Sequence, residues 1–285
     1  MTELAIPALV LFLMFVVGSG LSGADFKRIL QYPRLVVVAT AGQILLLPFI
    51  AALLIYILEP SATVASGMLL VSLCPGGAVS NFYTYFARAN TALSVTLTAL
   101  SSLLAIAVLP LLAIFFFTAF LEPGVEISDL ASRLVLQLLL LLLLPLCLGM
   151  ALRKIKPWFI QRHGKTLERL AAAGLILLVL VILVQHRHLI MSHISSLLLT
   201  ALLFTFLAIA AAGILSRMLS LNRFDSTAIM IEFPVRNLAL SAVIAISIFG
   251  KSDYLVFAAI IFIVQVPIIA VILLWHRYNC RDSSA

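Results

Sequence analysis

One carboxylate, Glu232, stands inside the apolar run DSTAIMIEFPVRNLALSAVIAISIF from Asp225 to Phe249, and Ser80 and Asn81 interrupt another, LCPGGAVSNFYTYFARANTALSVTLT from Leu73 to Thr98. A carboxylate within hydrocarbon is costly, so it is paired, neutral or used. Facing Ser80, Asn81, Ser94 and Thr98, Glu232 completes an all-oxygen cage with one negative charge. Such a cage suits a hard monovalent cation better than zinc or copper, whose usual ligands include thiolate or imidazole. Ser94 and Thr98 are four residues apart, which puts both hydroxyls on one face of a helix. Taken singly, each hydroxyl has a plainer reading, bonded to a carbonyl of its own helix or bridging packed helices. Arg236 carries two readings. It follows Glu232 by four residues and forms an ion pair that makes both tolerable, or it takes the place of a bound cation and faces an anionic substrate with its planar fork.

The elements that position these residues are two spans broken at their middles. Pro75, Gly76 and Gly77 remove one backbone donor and loosen the chain, and Ser80 and Asn81 fall where a second half-helix starts. Glu232, Pro234, Arg236 and Asn237 interrupt the other run in the same way. Irregular backbone at membrane depth survives only where it is buried in protein or lines a polar cavity, and broken spans of this kind hold ion and substrate sites in secondary transporters.

Composition fixes the class. Of 285 residues, 64% are hydrophobic and 10% charged, against about 25% charged in a soluble domain, and the mean hydropathy is +1.24. The chain is an all-α polytopic membrane protein with no room for a soluble domain. Its apolar segments, near 4–20, 34–58, 62–87, 91–120, 129–152, 167–186, 190–215, 224–249 and 253–276, predict nine spans. The opening MTELAIPALVLFLMFVVGSG has an acidic start and reads as the first span rather than a removed signal peptide. Cys74, Cys147 and Cys280 have no paired spacing, which argues against disulfides and a metal cluster.

With the N-terminus outside, 14 of the 18 basic residues fall on cytoplasmic junctions, against Arg133, Arg187 and Lys251 opposite and Arg236 within a span. The positive-inside rule therefore puts the N-terminus outside and the C-terminus in the cytoplasm. The net charge of +7 is mostly topology, not a nucleic-acid footprint. RKIKPWFIQRHGK, from Arg153 to Lys165, is an interfacial connector holding anionic lipid headgroups. Span three runs inward and span eight outward, so spans one to four pair with spans six to nine in opposite orientation. The expected halves are 1–120, spans one to four, and 121–285, spans five to nine, forming one transporter unit whose breaks meet near the midplane.

PGGAVSNFYTYFARANTALSVTLTALSSL and EFPVRNLALSAVIA resemble the two signature regions of the bile acid:sodium symporter family, and the layout matches along nearly the whole chain. The chain is similar to the bacterial members that resemble the apical sodium-dependent bile acid transporter. The resemblance implies a panel domain and a core domain related by inverted repeats, with two broken helices crossing in the core. It further implies the nine-span form of a ten-span fold, lacking the first helix. It assigns a first sodium site to Ser80, Asn81, Ser94, Thr98 and Glu232. A second site would draw on Gln43, Glu232, the backbone carbonyls around Phe233 and Val235, and a glutamine where this chain has Arg236. Ala78 stands where the family often has threonine, and Asn237 matches a family asparagine expected to touch substrate.

The expectation is a sodium-coupled symporter of a small organic anion in a bacterial cytoplasmic (inner) membrane, working by alternating access with one Na⁺ bound at the first site. The alternative is a proton-coupled or uncoupled anion carrier, with Glu232 as proton site or partner of Arg236. Membrane lipids and the anion are its partners, with no nucleic acid and no obligatory protein partner. An enzyme is not expected, because His163, His186, His188, His193 and His276 nowhere combine with carboxylates on one face as a metal-dependent hydrolase requires.

Overall fold

A helix satisfies its backbone polar groups within its own segment, which is why long apolar runs adopt it in a membrane. The computed structural model describes residues 2–21, 31–120 and 134–281, and every regular element among them is helical. Helix α1 is Thr2–Gly20 and α2 is Pro33–Leu58. The first interrupted run gives α3, Ala62–Leu73, and α4, Val79–Ala87, followed by α5, Thr91–Phe120. A π segment at Leu139–Leu143 leads into α6, Leu144–Ile155, then α7, Pro157–Gln185, and α8, Arg187–Met218. The second interrupted run gives α9, Arg223–Glu232, and α10, Leu238–Ser247. One 3-10 turn at Ser252–Tyr254 opens α11, Leu255–Arg281. Six helices among the described residues are long and apolar enough to cross a membrane, and the fold is that of a polytopic membrane protein.

Several boundaries differ from the sequence reading. The basic connector is helical from Pro157 onward, so α7 begins ten residues before the expected 167. Proline at the first helical position lacks only an N–H that would have had no partner there, and the polar residues that follow are compatible with a helix. Helix α8 likewise begins at Arg187 and bends at His193, whose φ of −120° leaves the helical range. Residues 129–133, the expected start of the fifth span, lie outside the described residues. Farther along that run Pro145 can donate no N–H, and the chain just before it widens to a π turn in which Leu144 N reaches Leu139 O.

Helix α1 lies against α6 and α7, and it also touches α10. A side chain at Gly18 would strike the Leu146 backbone and one at Gly149 the Phe15 backbone, so α1 and α6 meet main chain to main chain. Helices α2, α3, α5, α8, α9 and α11 pack around the two breaks. Two polar ties link the interrupted runs to the helices that follow the opposite break. Asn90 Nδ2, just before α5, donates to Asp225 Oδ1 on α9 at 2.6 Å, and Thr63 Oγ1 on α3 donates to Asp253 Oδ2, just before α11, at 3.4 Å. In each tie the first turn of an interrupted run meets the start of the helix after the other run, a relation that suggests pseudo-symmetry.

Candidate ion and substrate site

The two breaks cross as short extended segments. Gly77 N donates to Val235 O and Asn237 N to Pro75 O, each at 2.9 Å, so Gly76 and Arg236 pair as a single antiparallel bridge. Backbone groups that neither half-helix could satisfy are thereby satisfied by the opposite break. Glycine is required at this crossing. A Cβ on Gly76 would stand 2.3 Å from Glu232 Oε1, and one on Gly77 would stand 2.6 Å from Arg236 O.

Helix α9 ends at Glu232, whose side chain is fully buried. Ser80 Oγ donates to Glu232 Oε2 at 2.5 Å, Ser94 Oγ to the same oxygen at 2.7 Å, and Thr98 Oγ1 to Oε1 at 2.6 Å. Ser94 Oγ also lies 2.8 Å from Asn81 Oδ1, and Thr98 Oγ1 lies 3.5 Å from it. All five residues expected of the cage come together, from α4, α5 and α9. Three hydroxyls and an amide oxygen around one carboxylate form an all-oxygen donor set of the kind a hard cation takes.

Arg236 does not pair with Glu232. One terminal nitrogen donates to Gln43 Oε1 at 2.9 Å and the other to the Cys74 carbonyl. The ion-pair reading fails because α9 stops at Glu232, and residues four apart share a face only while a helix continues. Gln43, on α2, is fully buried, while its Nε2, the Nε of Arg236 and the Oγ1 of Thr40 have no hydrogen-bond partner. Val235 O is engaged by Gly77, Phe233 is wholly buried beside α2, and Ala78 begins α4 with no side-chain cap. Asn237 caps α10, accepting from Leu240 N at 3.0 Å, and its Nδ2 reaches Met14 Sδ on α1 at 3.5 Å.

Two contributors escaped the sequence reading as members of the site. Ser101 Oγ accepts from Gly76 N at 3.2 Å and so supports the crossing itself. Its spacing could have revealed it, since Ser94, Thr98 and Ser101 follow an i, i+4, i+7 stripe. Met14 gave no signal, being one apolar residue among many in α1.

An all-helical membrane fold with a buried polar crossover defines the class as a polytopic membrane transporter. The chain belongs to the Sodium Bile acid symporter family, whose model matches residues 7–193. It is 30% identical over 247 residues to "Uncharacterized sodium-dependent transporter YocS" of Bacillus subtilis (strain 168), covering 84% of this chain and 72% of that protein. It is 36% identical over 151 residues to "Probable sodium/metabolite cotransporter BASS2, chloroplastic" of Oryza sativa subsp. japonica, covering 53% of this chain and 35% of that one. Against "Hepatic sodium/bile acid cotransporter" of Rattus norvegicus the identity is 27% over 156 residues, 53% of this chain and 42% of the rat protein. As a member of a transporter family, the chain is not an enzyme.

Proposed function

We propose that this transporter couples the movement of one Na⁺ to that of a small organic anion by alternating access. The observation that carries the reading is the convergence of Ser80, Ser94 and Thr98, within 2.5 to 2.7 Å, on the buried carboxylate of Glu232, with Asn81 beside them. A sodium ion there neutralises the carboxylate. Arg236 stands in for a second cation, because its guanidinium lies between Gln43 and the Cys74 carbonyl, and a further positive charge at that place meets like-charge repulsion in a poorly solvated region. Helices α4 and α10 both start at the crossing, so their positive ends, with Asn237, favour the anion.

The reading includes nine crossings with the N-terminus outside and the C-terminus in the cytoplasm of a bacterial cell. The two halves are 1–120 and 121–285, related as inverted repeats. Helix α1 with α6 and α7 forms the panel, and the remaining helices form the core. The experiment is uptake by reconstituted vesicles of a panel of carboxylates and steroid-like anions, with Na⁺ and pH gradients imposed separately. Uptake driven by the Na⁺ gradient alone supports the reading. Uptake driven by the pH gradient alone transfers the coupling to a proton on Glu232, and indifference to both gradients makes the protein an uncoupled carrier.

A further inference from the structure

We infer that Met14 is a built-in competitor at the anion site, its thioether holding the Asn237 amide that an oxygen of the transported anion takes over. The inference rests on the reading of the crossover as an anion site. Leu240 N donates to Asn237 Oδ1 at 3.0 Å, which settles the two ends of the amide and turns Nδ2 away from α10. In that direction it meets Met14 Sδ at 3.5 Å. Asn237 is 6% exposed and Met14 3%, so the contact is largely shielded from solvent. A thioether is a weak acceptor, and a buried amide N–H with so poor a partner is stabilised by any carboxylate or sulfonate oxygen that replaces it.

The position selects for negative charge. Asn237 sits at the positive end of α10, next in sequence to Arg236. Methionine is suited to withdrawing, since its unbranched chain has three rotatable bonds and can leave without α1 moving. The contact also spans the seam between α1 and α10, where panel and core part in the proposed cycle. Residue 14 therefore sets how easily an anion engages Asn237.

Met14→Cys in a chain carrying Cys147→Ser and Cys280→Ser places a thiol at this point. The protein, reconstituted in vesicles without Na⁺, is treated with the anionic sulfonatoethyl methanethiosulfonate or the cationic trimethylammonium-ethyl methanethiosulfonate. Rates are normalised to those with 2-mercaptoethanol. The anionic reagent should react about tenfold faster, a preference worth about 1.4 kcal/mol. Adding Asn237→Ser, which keeps a capping hydroxyl for α10 and deletes the amide, should reduce that preference, leaving the part that Arg236 and the positive end of α10 supply. Equal rates, a cationic preference, no reaction with either reagent, or a preference untouched by Asn237→Ser would each overturn the inference. Na⁺ coupling is read separately by gradient-driven uptake, so a failure there leaves the charge selectivity at residue 14 to stand or fall by itself.

Discussion

A buried carboxylate must find a partner for each oxygen, and Glu232 finds them in hydroxyls, which can donate to it or turn their lone pairs toward a cation. Glu232→Gln removes the charge and Asn81→Ala an amide oxygen, so each should abolish Na⁺-dependent stabilisation, read as the loss of the rise in melting temperature on adding NaCl. With Na⁺ at 100 times its Kd that stabilisation is about 2.7 kcal/mol. Ser101→Ala should cost about 1–3 kcal/mol by leaving Gly76 N without its partner, yet keep the response to Na⁺. An equal response to Na⁺ in all three variants would return these residues to helix packing. The cage was legible because each member is a polar residue in an apolar run, a contrast that periodicity amplifies for Ser94 and Thr98. Met14 lacked that contrast, and the partner of its sulfur comes from 223 positions away.

At the level of elements, two broken helices satisfy each other's open backbone groups and carry their side chains to one point. Proline marked both breaks in the sequence, with Gly76 and Gly77 beside it in the first, but nothing there marked the rotation of the chain after Pro234 that sends Arg236 to Gln43 instead of Glu232. Arg236→Gln removes the charge and restores a neutral oxygen donor beside Gln43. It should yield a weaker transporter with a steeper Na⁺ dependence, its Hill coefficient rising from about one toward two as a second cation site opens. Two Na⁺ bound by the native protein in isothermal titration would defeat the substitution argument. The tie between α5 and α9 makes a separate claim. Asn90→Ala deletes the 2.6 Å bond to Asp225 and the cap that accepts from Leu93 N, and should lower stability by about 1–3 kcal/mol while the Na⁺ response persists. Thermal unfolding with and without NaCl distinguishes a tie between elements from a part of the ion site. Helix ends were less legible than breaks, as the early start of α7 illustrates: Trp158 to Glu168 is polar enough to read as a loop and yet carries only Gly164 against a helix.

For the whole molecule, the proposed orientation rests on charge, because lysine and arginine in short loops are retained on the cytoplasmic side. Arg153, Lys154, Lys156, Arg162, Lys165 and Arg169 cluster from the end of α6 through the first turns of α7, whereas Glu122 and Glu126 lie between spans four and five. If the N-terminus is outside, the fourth junction is outside and the fifth inside. The interrupted runs, five spans apart, traverse the membrane in opposite directions for either orientation as long as the crossings alternate. Labelling both junctions reads sidedness and alternation together. The orientation and the inverted-repeat pairing thus share one test. Single cysteines replacing Arg162 and Gly124, in a chain whose own exposed Cys147 and whose Cys280 are serine, should divide cleanly in intact cells treated with an impermeant maleimide. The thiol at 124 should be labelled at once, and that at 162 only after the membrane is opened. The reverse pattern would overturn the orientation, and labelling of both from one side would place an even number of crossings between them. That would break the alternation on which the proposed inverted-repeat pairing of the two halves rests.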